Sequence, residues 1–187
     1  MIIEDGTGTG QKVQVDDEYK MATFAVTLTE EAHTNDFHGE AYHLVFVCSG
    51  LLPGAPFIYI KNTDSSKNMI LEGISLHTEA NAIITVVKKP TVTTVTGTAN
   101  VPVNVNVGAG NLADGTFYTC KSGAVSGVTG GTVMSRIYCC SGCGQEDHNF
   151  ECDIVVQKNN EVAIFTENVA AISGCNIAGL IPLYFHT

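Results

Sequence analysis

The sequence predicts an all-β fold, an antiparallel jelly-roll-like β-sandwich with an extended N-terminal arm, and three observations carry that expectation. β-branched and aromatic runs recur along the chain, bounded by Gly, Pro, Asn, Asp and Ser. Turn-forming pairs separate them at intervals of roughly 8 to 12 residues, the spacing of a sandwich or barrel. No apolar stripe at helical period demands a helix longer than a turn.

Residues 1 to 12 form the arm. "IEDGTGTGQ" is rich in Gly and Thr and lacks apolar periodicity, so only contact with another surface would order it. Residues 13 to 187 form the β-sandwich domain. "TEEAHTND" (29 to 36) has room for one helical turn. "AYHLVFVCS" (41 to 49), "FIYIKNT" (57 to 63), "NMILEGISLHT" (68 to 78) and "NAIITVVKK" (81 to 89) read as strands. "VPVNVNVG" (101 to 108) alternates strictly, which predicts a half-buried strand with Val101, Val103, Val105 and Val107 inward and Asn104 and Asn106 outward. Pro102 places it at a sheet edge or a strand start. Asp114-Gly115, Gly130-Gly131 and Asn159-Asn160 suit tight hairpins, the last joining "CDIVVQ" to "EVAIFT" as paired strands. "GLIPLYFHT" closes the chain as a strand interrupted or edged at Pro182. Nine or ten strands result, and their long crossings favour a jelly roll over an up-and-down barrel.

Composition narrows the function. Hydrophobic residues make up 44% and charged ones 15%, which excludes disorder of the highly charged kind. Nine Lys plus Arg against nineteen Asp plus Glu give a net charge of -10, so a nucleic-acid backbone would be repelled. The N-terminus lacks the basic and apolar regions of a secretory signal, and no window approaches the ~18 apolar residues of a membrane helix. A cytosolic site of synthesis follows, with thiols as the default state of the seven cysteines.

The succession "EDGTGTGQKVQVDDEYKMATFAVT", "HGEAYHLVF", "FIYIKNTD", "MILEGISL", "VNVGAGNLADGTF" and "GLIPLYFH" resembles jelly-roll virion proteins of tailed bacteriophages. The resemblance implies a capsid decoration or cement protein on the virion surface, assembled in the host cytoplasm. Its implied partner is the major capsid protein, with self-association as a homotrimer, and it implies no catalysis. The family pattern has no cysteine cluster at positions 139 to 152, so that stretch is read from its own chemistry.

"RIYCCSGCGQEDHNFECD" (136 to 153) offers Cys140-x-x-Cys143 as one knuckle pair, with His148 and Cys152 as conceivable partners for zinc. A second close pair is missing. A redox reading of Cys140-x-x-Cys143 needs a cation or helix N-terminus to lower a thiol pKa, and "GCGQED" supplies acid instead. The preferred reading uses cysteine as a small apolar residue: Cys139 or Cys140 inward at a strand end, Cys143 in a hairpin loop and Cys152 packed on the returning strand. His33, His38 and His43, among Glu30, Glu31, Asp36 and Glu40, are spaced by five, so only a loop could gather them, and they read as a solvated acidic loop. Gly6, Gly8 and Gly10 lack the strand and lysine-serine of a phosphate loop. No G-x-S-x-G is present, and no carboxylate pair can be named as a glycosidase centre. The sequence therefore assigns no catalytic, cofactor-binding or metal residue.

Two function classes remain. One is a structural virion protein attached through its arm and sheet edges. The other is a carbohydrate- or receptor-binding sandwich of a phage tail, fibre or spike. The chain has no Trp, and sugar faces are commonly met by aromatic rings, so the structural class leads.

Overall fold

The computed structural model describes residues 2–4, 12–14, 30–141, 144–167 and 170–186. Within the arm, β1 (Ile2–Glu4) and β2 (Lys12–Gln14) pair antiparallel; the rest of residues 1 to 12 lies outside the described residues. Helix α1 (Glu30–His38) precedes β3 (Ala41–Cys48), β4 (Pro56–Asn62), β5 (Asn68–Thr78) and β6 (Ala82–Lys88). Next come β7 (Thr91–Thr96), β8 (Thr98–Ala99), β9 (Val103–Asn104), β10 (Gly115–Thr119) and β11 (Ser126–Thr129). The chain continues with β12 (Thr132–Cys139), β13 (Glu146–Val156) and β14 (Glu161–Thr166), then a 3-10 turn (Ala170–Ile172) and β15 (Ile177–His186).

Two antiparallel sheets make the sandwich. One has the order β13-β5-β15-β3-β9 and the other β12-β6-β14-β4-β10-β8. Their strands interleave in sequence: β3, β5, β13 and β15 lie in the first, and β4, β6, β12 and β14 in the second. Setting aside the short edge strands β8 and β9 and the added β10, four strands of each sheet are threaded alternately in the jelly-roll-like sandwich that the sequence predicts. The core sits between them, where Tyr42, Leu44 and Phe46 of β3 meet Phe57 of β4, Ile84 of β6 and Ile164 of β14 in one apolar cluster. Across this core the Phe46 and Phe57 rings lie 6.0 Å apart.

β4 is apolar almost throughout because both its faces are covered. A separate two-stranded sheet, β11-β7, packs beside it, and Val125 and Val128 join the core. Helix α1 packs on β3 and β15 and is longer than the expected turn. It lies at the end of the first sheet where Ala41, Ile70 and Tyr184 form a second small apolar cluster. Gly39 ends it with a left-handed φ of 62° and an N–H donated to the Asn35 carbonyl at 3.2 Å.

Three turn expectations are corrected. β13 and β14 are not paired: β13 pairs with β5 in one sheet, and β14 pairs with β4 and β6 in the other. The intervening Asn159-Asn160 turn, with Asn159 at φ 60°, is an arch between layers. Its anchor is Asn62, fully buried at the end of β4. The Asn62 side-chain amide donates to the carbonyls of Lys67 and Val156, both at 2.9 Å, while its backbone accepts from the Asn159 N–H and donates to the Asn160 carbonyl. Gly130-Gly131 likewise arches from β11 to β12 in a different sheet. Asp114-Gly115 makes no hairpin, because Gly115 opens β10, whose partners are β4 and β8.

Pro182 is also relocated. β15 runs through the middle of its sheet, and Pro182 lies opposite His43 of β3. The missing N–H is accommodated by a register shift between Leu180 and Leu183 in the ladder with β5.

Candidate functional site

The stretch Val101 to Val107 departs furthest from its sequence reading. Only Val103–Asn104 forms a ladder, against His43 and Tyr42 of β3. The faces are inverted: Val101 and Val103 are 65% and 62% exposed, and Val107 is fully exposed. Val105 is exposed as well. The asparagines face the protein because distant backbone carbonyls need their donors. Asn104 Nδ2 donates to the Gly39 carbonyl at 2.8 Å and to that of Asn111 at 3.3 Å. Asn106 Nδ2 donates to the Asn35 carbonyl at 3.1 Å, and Asn111 Nδ2 donates to that of His38 at 3.0 Å. These amides tie the loop to the last turn of α1, giving donors to the His38 and Gly39 carbonyls and a second one to the Asn35 carbonyl, which already accepts the Gly39 N–H.

With the amides turned inward, the valines point out. Val103 opposes His43, so it shares the outer face of the first sheet with Val45 and Val47, which are also exposed. Continuing the register sets Val101 beside Val45, and Asn100 Nδ2 fixes that approach with a 2.7 Å bond to the Val45 carbonyl. Leu112 adds a further exposed apolar side chain in the same loop. The helix covers one end of this sheet's outer face, and the valines occupy the uncovered end and the β9 edge. Scattered exposed valines are ordinary; here the asparagine hydrogen bonds hold several of them outward together.

The cysteine-rich stretch resolves differently from its expectation. Cys139 is buried and free, as expected of a strand-end cysteine. Cys140 is disulfide-bonded, so thiols are not the uniform state; Cys143 lies outside the described residues. Cys152 is exposed and does not pack in the core. The 139-to-146 connection is not a hairpin either, because β12 and β13 are edge strands of opposite sheets. Of the alternative zinc set, Cys143 lies outside the described residues, and Cys140, His148 and Cys152 do not form a ligand cluster among them.

A different set does converge. One ligand atom each from Cys139, Glu146 and His148 lie within 4.8 Å of one another. The period-2 pleat of β13 puts Glu146 and His148 on one face, and Asp147, hydrogen-bonded to the Ser75 hydroxyl, on the other. His148 Nε2 lies 3.3 Å from Glu146 Oε2, and the Cys140 N–H donates to Glu146 Oε1 at 3.2 Å. Burial, with the Glu146 charge adding to it, pushes the Cys139 thiol up to about 11. Sequence reading passed over Cys139 because only the C-x-x-C spacing counted as a ligand signal.

The histidine segment is helical where a loop was expected. His33 and His38 lie on α1 with ring centroids 5.7 Å apart, His43 lies on β3, and Glu40 pairs with Lys67. The side chains of Glu30, Glu31 and Asp36 and the whole of Gly6, Gly8 and Gly10 lie outside the described residues.

No protein-family model matches the chain, and no match is found among curated proteins or solved structures.

Proposed function

We propose that this chain is a structural assembly protein: a tailed-phage capsid decoration protein that docks on the major capsid protein through its valine face. The observation that carries the reading is the outward presentation of Val45 and Val47 on β3 beside Val101, Val103, Val105 and Val107 on a loop whose asparagine amides are spent on backbone carbonyls at the end of α1. A jelly roll is a common scaffold for capsid proteins, and the sequence resemblance points the same way. An apolar face without aromatic rings suits packing against protein rather than stacking on sugar. Among the large exposed apolar side chains of the described residues, Tyr138 is the aromatic one, and it lies on β12, away from this face.

A symmetric lattice multiplies a modest contact, so each copy need not bind tightly. The test uses intact particles that contain the chain. Cross-links near the valine face should run to the major capsid protein, and Val47→Asp with Val103→Asp should abolish attachment while leaving the melting temperature of the free protein within a few degrees. Cross-links confined to tail fibres, or attachment unaffected by the double substitution, would overturn the reading.

A further inference from the structure

We propose that Cys139, Glu146 and His148 form a zinc-class metal site that clamps the open edge of the sandwich. Three features of the site support this. The donors are one thiolate, one imidazole and one carboxylate, the set zinc accepts. The three ligand atoms lie within 4.8 Å of one another; in a coordination tetrahedron with metal–N and metal–O bonds near 2.0 to 2.2 Å, adjacent N and O ligand atoms stand about 3.3 to 3.5 Å apart. His148 Nε2 and Glu146 Oε2 are 3.3 Å apart, long for an ion-paired hydrogen bond and right for two ligands of one ion.

The surroundings are also those of a ligand site. Glu146 Oε1 is held by the Cys140 N–H, which leaves Oε2 to the metal and fixes the carboxylate's orientation. Of the two adjacent cysteines, Cys140 points outward and is disulfide-bonded, while Cys139 points inward and is free, so the strand's alternation delivers one thiol to the cluster. On binding, the Cys139 thiol gives up its proton to solvent and the sulfur takes the metal. Three protein ligands leave a fourth position for water.

The mechanical consequence follows from the topology. Cys139 ends β12, the outermost strand of one sheet, and Glu146 and His148 open β13, the outermost strand of the other. β12 and β13 have no ladder between them, and a cavity of about 690 Å³ opens along this edge beside Met134, Phe150 and Cys152. A metal at the cluster would fasten the two sheets where the backbone does not.

The experiment titrates Co2+ into the whole chain after treatment with chelator but without reductant, so that the disulfide stays intact. One equivalent should produce a thiolate-to-cobalt charge-transfer band and tetrahedral d–d bands, both displaced by Zn2+. Zinc should also raise the melting temperature. Cys139→Ala should remove the charge-transfer band. Because that buried position could disturb folding, the partly exposed His148→Ala and Glu146→Gln provide a second arm, each expected to weaken binding at least about tenfold. Cys152→Ser should bind as the parent does. No charge-transfer band in the parent, or binding lost in Cys152→Ser and kept in His148→Ala, would overturn the proposal.

Discussion

Asn104 and Val103 are neighbours in sequence with opposite duties. Asn104 supplies both amide hydrogens to backbone carbonyls, at Gly39 and Asn111, and its Oδ1 accepts the Asn106 N–H at 2.8 Å. Asn104→Asp would remove the donor to the Asn111 carbonyl, leave the Gly39 carbonyl only the Asn111 amide at 3.3 Å, and set a carboxylate against both oxygens, a loss of about 1–3 kcal/mol in unfolding free energy. Val103→Asp should cost little in the isolated protein, because the side chain is already in water. Denaturant melts of the two variants measure both, and a destabilised Val103→Asp beside a normal Asn104→Asp would contradict the face assignment. The alternation in "VPVNVNVG" was legible, and it does specify two faces. Which face is buried was not legible. That depends on carbonyls at Asn35, His38 and Gly39, more than sixty residues earlier in the chain, which outcompete valine burial for this edge.

Individual strands could be read from their residues, and β5 and β3 match their apolar runs closely because each buries one face against the core. Connections were less legible, since a turn pair such as Asn159-Asn160 has the same chemistry whether it closes a hairpin or arches between sheets. Asn62 makes the difference here. Its five hydrogen bonds hold β4, the Asn159-Asn160 arch and the β4-to-β5 connection together. Asn62→Ala should cost at least about 1–3 kcal/mol, because the carbonyls of Lys67 and Val156 stay buried without a donor. The adjoining turn adds a pH dependence. Partial burial works against the Asp64 charge, but N–H groups of Ser66 and Lys67, the Ser66 hydroxyl and the Lys67 ammonium outweigh it and hold the carboxyl below the usual range. A carboxyl depressed in the folded state contributes stability above its unfolded pKa of about 3.9, and that contribution fades as pH falls toward the lower native value. Melting curves of Asp64→Ala and the parent should therefore converge as the solution is acidified below about pH 4, and a constant gap would show that the charge is not what the turn uses.

At the scale of the molecule, two properties oppose each other. A net charge of -10 makes copies of the chain repel, while the valine face favours burial against protein. Composition made the first legible, but the second needed the fold, because valines in an alternating run are ordinarily counted toward the core. The balance between them responds to salt. Near 0.1 M ionic strength the Debye length is about 10 Å, and near 1 M it is about 3 Å, so added salt removes long-range repulsion and leaves apolar contact intact. If attachment to a capsid lattice is made by the valine face and the lattice surface is itself acidic, retention on particles should rise as NaCl is increased between these limits. Attachment made instead by pairing this chain's carboxylates with lattice lysines and arginines would weaken over the same range. Sedimenting particles at several salt concentrations and measuring the bound fraction separates the two. The Val47→Asp, Val103→Asp double variant completes the argument: it should sediment free of particles at every salt concentration, since screening restores no apolar surface that the substitutions have removed.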